Sequence, residues 1–166
     1  MKRAHHAINC LALAGLLTTT AAHAEWIFET NFNDDYPDGT EVHGTTMVEW
    51  IDDDAEDGVL QLTLAEGNQN GSWIIDDFSE GQTIGEFEAD FRMLMGGNTT
   101  ADPADGMSFS FGRNIPDNTF SPAENGAGDG LRLSFDSWDS GGGEAPSIEI
   151  FIGGISRAVA HFTGSR

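Results

Sequence analysis

Beyond residue 24 this chain contains no lysine and no cysteine, and the whole sequence holds a single tyrosine. Without thiols there are no disulfides and no thiolate metal centres, so packing rather than cross-links must hold the fold. Positive charge is nearly absent as well. Five arginines face 28 acidic residues in that region, and the formal charge of −21 becomes −23 once Lys2 and Arg3 are set aside. Such a balance excludes nucleic acid and anionic membrane surfaces as partners, and it suits cations and neutral polar ligands. The plainest use of a lysine-free acidic surface is solubility, for example in a salty medium. No stretch reaches the roughly 18 consecutive apolar residues that a membrane span needs, and beyond the N-terminus no run has helical periodicity.

What is present begins with an export layout. Lys2 and Arg3 precede an apolar stretch over residues 8–17, and Ala22-His23-Ala24 supplies small residues for cleavage, which is the pattern of a secretory signal. Residues 1–24 are therefore expected to be removed, and Cys10 with them. Residues 25–166 are the length of one ordinary domain, expected to be secreted, extracellular or periplasmic.

Turn signals follow at short intervals: Asp57-Gly58, Asn70-Gly71, Asp105-Gly106, Asp129-Gly130, the run of glycines at 141–143, and Gly153-Gly154. Alternating segments lie between them. Trp26, Phe28 and Phe32 fall on one side of residues 25–32, and Leu60, Leu62 and Leu64 on one side of 58–64. Residues 87–95 show the clearest period of two, with Phe87, Ala89, Phe91, Met93 and Met95 opposite Glu88, Asp90, Arg92 and Leu94. Met107, Phe109 and Phe111 repeat the pattern, as do Leu131, Leu133 and Phe135, and then Ile148, Ile150 and Ile152. Short alternating runs separated by turns predict an antiparallel all-β fold, a β-sandwich or jelly roll. Residues 67–72, 96–105 and 114–130 read as long polar connections, the places where such folds carry ligand sites.

The densest chemistry lies in residues 128–154, where two alternating runs flank a loop rich in Asp, Ser and Gly. Asp136, Asp139 and Glu144 give that loop several oxygens of the kind calcium takes six to eight of. A simple Asx turn at Asp136 explains the same residue without metal. Asp105, between Ala104 and Gly106, is either a turn residue or an acceptor for ligand hydroxyls, since an ionised carboxylate only accepts hydrogen bonds. Trp138, Trp50 and Trp73 are core residues by default and sugar platforms by alternative. His43 and His161 lack helical or cysteine partners and read as structural or surface residues.

Three segments together, Ala104-Asp105-Gly106 with its alternating run, Phe135-Asp136-Ser137-Trp138-Asp139-Ser140, and Ala145-Pro146-Ser147-Ile148, resemble the concanavalin A-like lectin and glucanase superfamily. That group includes legume lectins, cargo lectins of the secretory pathway and laminin G-like modules. The resemblance implies a jelly roll that binds carbohydrate through Asp105, Gly106, Trp138 and Ser140. It also implies a Ca2+ site built from Asp136, the Trp138 carbonyl and Ser140, to which Glu144 adds a further oxygen. A cis peptide between Ala104 and Asp105 belongs to the same pattern.

Four departures qualify it. Ser140 stands where the lectins place Asn, and Ser134 and Ser147 stand where a second, transition-metal site would need Glu and His. Relatives continue beyond residues 158–162 with another Trp-containing strand, which implies either a fragment or a reduced sandwich, incomplete at its C-terminus, with an exposed edge. The glucanases use a carboxylate pair, E-x-D-x-x-E on one strand; here Glu86, Glu88 and Asp90 begin it and no second Glu completes it. The expectation is thus a binding module and no enzyme, with a glycan or glycoconjugate as partner. The alternative is an adhesive module that packs on another extracellular protein.

Overall fold

A computed structural model describes residues 27–51, 58–96 and 104–162. The expected leader, Trp26 and most of the 96–105 connection lie outside these residues. Regular structure is almost entirely antiparallel β. The strands are β1 (Thr40–Gly44), β2 (Met47–Trp50), β3 (Gly58–Gln61), β4 (Gly71–Ile75), β5 (Gly106–Phe111), β6 (Leu131–Asp136), β7 (Ser147–Ile152) and β8 (Ile155–His161). One single-turn 3-10 helix, Ala123–Asn125, sits between β5 and β6.

β1 pairs with β4, β2 pairs with β3, and β5 to β8 form a four-stranded meander in chain order. The meander follows directly from the alternating runs. Met107, Phe109 and Phe111 lie opposite Phe135, Leu133 and Leu131, which lie opposite Ile148, Ile150 and Ile152. Because side chains alternate along a strand, all nine project from one face of the sheet. The other face carries Ser108, Ser110, Arg132, Ser134 and Glu149 by the same register. Gly153 and Gly154, with φ of 59° and 77°, close the tight β7–β8 hairpin, where consecutive positive φ values match strand twist.

Phe135 is the most deeply placed apolar side chain among the described residues, at 8% exposure. Its neighbour Ser134 is also buried, so β6 is covered on both faces. Over the apolar face, Phe87 stacks on Phe111 at 3.9 Å and Phe91 on Phe109 at 5.4 Å, with Phe78 also against Phe111. Over the polar face lies the connection between β5 and β6. Ser108 donates to the carbonyl of Ala123 at 2.6 Å, the Ala127 amide donates to Ser110 Oγ at 3.0 Å, and the Arg132 guanidinium covers the Phe151 ring at 4.7 Å.

Several expected strands differ. Residues 87–95 belong to no strand, although their aromatics cover the sheet as the pattern suggested. Alternation needs only one apolar side; a ladder also needs a neighbouring backbone, and none is paired there. Residues 27–32 likewise form no strand, and Phe28 and Phe32 instead flank Trp73 at 5.7 and 5.1 Å. β3 stops at Gln61, after which the Leu62 carbonyl accepts from the Thr45 and Thr46 hydroxyls. The loop expected over residues 67–72 ends earlier, because Gly71 and Ser72 already pair with Gly44 and His43.

Candidate functional site

The β5 and β6 register brings two polar turns to one rim of the sheet. Gly106 lies opposite Asp136 at the end of the ladder, so the chain entering β5 and the chain leaving β6 run side by side. One residue further out, the Ser137 amide donates to the Asp105 carbonyl at 3.0 Å, and the Ser137 hydroxyl donates to the same oxygen at 3.0 Å. The approach requires glycine at 106: a Cβ there would lie 2.2 Å from the Phe135 carbonyl oxygen and 2.9 Å from Glu124 Cβ. The Ala104–Asp105 peptide is cis, the geometry that the lectin resemblance implies. Asp105 itself is exposed.

The loop after β6 is shaped by its own carboxylates. Asp136 Oδ1 accepts from the Trp138 amide at 3.0 Å, which is the Asx turn of the metal-free alternative for that residue. Asp139 Oδ1 accepts from the amides of Gly141 at 2.9 Å and Gly143 at 3.1 Å. The Gly141 amide first, then the Glu144 carboxyl, then the Gly143 amide hold Asp139 below the ordinary carboxylate value of 3.8. Glu144 Oε2 is buried and lacks a hydrogen-bond partner. Trp138 is 41% exposed, so its indole is available at the rim, and Ser140 is exposed beside it in sequence.

Of the other tryptophans, two lie among the described residues, and Trp50 is as open to solvent as Trp138, at 42% exposure. Trp73 packs between Phe28 and Phe32, and Trp50 donates from Nε1 to the Asn33 carbonyl at 3.3 Å. Glu86, Glu88 and Asp90 are exposed and lie outside any strand. Two shallow clefts of about 290 and 220 Å3 open along residues 29–37; their described linings include neither Asp105 nor the 136–144 loop.

One group escaped the sequence reading. Glu41 and His43 on β1 meet Asp117, from the connection between β5 and β6, with His43 Nε2 3.6 Å from Glu41 Oε2 and 3.2 Å from Asp117 Oδ1. The sequence signal was Glu-Val-His within a strand, since residues two apart share a face. Asp117, 74 positions away, carried none.

Compared with known proteins, the chain matches no family model, no curated protein and no solved structure.

Proposed function

We propose that this chain is an exported carbohydrate-binding module with a concanavalin A-like β-sandwich, recognising glycans at the rim formed by Asp105 and the 136–144 loop. The observation that carries this reading is the double hydrogen bond from Ser137 to the Asp105 carbonyl, which sets an acidic turn and an exposed indole at one edge of the same sheet. Asp105 accepts hydrogen bonds from sugar hydroxyls, and Trp138 offers the apolar ring face of a sugar a flat surface. Gly106 allows close approach of the two backbones, and Ser140 adds a hydroxyl that can donate or accept. No covalent step is involved.

The loop suits Ca2+ in its chemistry. Asp136, Asp139 and Glu144 are hard carboxylate donors, the Trp138 carbonyl and Ser140 hydroxyl extend the set, and the orphaned Glu144 Oε2 is a buried oxygen that a cation would satisfy. Bound there, the ion would supply positive charge that fixes the loop. The carboxylates at 105, 124, 136, 139 and 144 make the rim strongly negative, so the partners are neutral glycans in preference to sulfated or uronate-bearing ones.

Calorimetry against a glycan panel, with calcium and then with chelator, tests the reading. Heat with neutral glycans that falls on chelation is the expected result. Silence with every glycan would sink it, and would favour an adhesive extracellular module instead, a reading that rests on the apolar Ile155, Val159 and Phe162 exposed along and just after β8.

A further inference from the structure

We infer that Glu41, His43 and Asp117 form a second, separate metal site, specific for a borderline transition-metal dication such as Zn2+ rather than for calcium. The three donor atoms lie within 4.8 Å of one another. A tetrahedral zinc with ligands at about 2.0–2.2 Å places neighbouring donors about 3.3 Å apart. The separations from His43 Nε2, 3.2 Å to Asp117 and 3.6 Å to Glu41, are of that size. When Nε2 carries a proton, the shorter contact is a hydrogen bond; a metal ion would take that proton's place among the same three groups.

The carrier of each donor is held in place. Glu41 and His43 share one face of β1, and His43 lies opposite Ser72 on β4. Ser72 in turn donates to the Asn118 carbonyl at 3.1 Å, and Asn70 Nδ2 donates to the Phe120 carbonyl at 2.7 Å. These two bonds pin residues 118–120 onto the β1–β4 pair, with the Thr119 methyl group against Gly44, and so fix where Asp117 can reach. His43 keeps 22% side-chain exposure while the two carboxylates stay open to solvent, so the ion has an approach and a fourth position for water. Imidazole among the donors selects zinc, cobalt, nickel or copper over the all-oxygen preference of calcium and magnesium. Two carboxylates with a neutral imidazole also match a dication in charge.

The test is titration of the chelator-treated full chain with Zn2+ by calorimetry, and with Co2+ by visible absorption, in the wild type and in H43Q, D117N and H161Q. Melting curves without metal check that each variant is folded. The expected result is one saturable site, weakened at least about tenfold in H43Q and D117N, a loss as large as outer-shell changes alone produce. H161Q binds as the wild type does, and the cobalt ligand-field bands vanish in H43Q. Equal binding by all four proteins would mean that metal spreads over the acidic surface or over His5 and His6, and would overturn the assignment. No binding by the wild type would overturn it too, leaving the trio as an ion pair and hydrogen-bond clasp.

Discussion

Ser137 donates from both its amide and its hydroxyl to the carbonyl oxygen of Asp105, each bond 3.0 Å long. The bonds use the main chain of Asp105 and leave its carboxyl to other work. Asp105→Ala keeps the carbonyl, so it is expected to abolish glycan retention on an affinity column while changing unfolding stability by no more than about 0.5 kcal/mol, as exposed substitutions usually do. Retained binding would remove Asp105 from the site.

Gly106→Ala acts on the same rim through packing. The new Cβ would lie 2.2 Å from the Phe135 carbonyl oxygen, so strands β5 and β6 must part at their ends. Overpacking of this kind costs about 1–3 kcal/mol. Urea unfolding should show that loss together with weakened glycan binding, because the two turns separate.

Phe87→Ala and Phe91→Ala test the cover over the apolar face. Both rings stack on β5 but remain partly exposed, so each truncation should cost about 1–3 kcal/mol, below the 3–5 kcal/mol of a fully buried phenylalanine. Chemical denaturation measures it. A neutral result at both positions would show that these stacks contribute nothing to the sheet.

Two turns carry a pH dependence. Asp77 is held below 3.8 by Ser79, through its hydroxyl and then its amide, and by the Gly81 amide; Asp139 is held low by Gly141, Glu144 and Gly143. A carboxylate with a depressed folded value stabilises above its unfolded value and loses that contribution as pH falls through the folded one. Both turns should therefore stay ordered at neutral pH and down to about pH 4, then loosen in stronger acid. Amide hydrogen exchange at Ser79, Gly81, Gly141 and Gly143 reads this directly.

The β5, β6 and β7 runs of the meander were legible in the sequence because each alternates and is bounded by glycine or aspartate, whereas β8 was not among the runs read as strands. Gly153-Gly154 was read as a turn, but the strand that follows it and makes the turn a hairpin was not. Residues 87–95 were legible only in part: the pattern identified which side chains cover the core, but hydrogen-bond pairing depends on a second backbone that no local pattern encodes. The rim was readable as two separate turns, and the pairing of β5 with β6 is what sets them side by side. Trp138 was not, since exposure depends on what packs nearby. The meeting of His43 with Asp117 was beyond reach for the same reason as every contact between distant loops.

Strand β8 is exposed at all seven residues and, among the described residues, has β7 as its one hydrogen-bonded neighbour. Its outer rail of amides and carbonyls is a template onto which another extended backbone can dock. The surplus of carboxylates then acts as a colloidal coat, keeping like molecules beyond docking distance. Where salt, divalent ions or acid thin that coat, edge-to-edge pairing through β8 becomes the competing association.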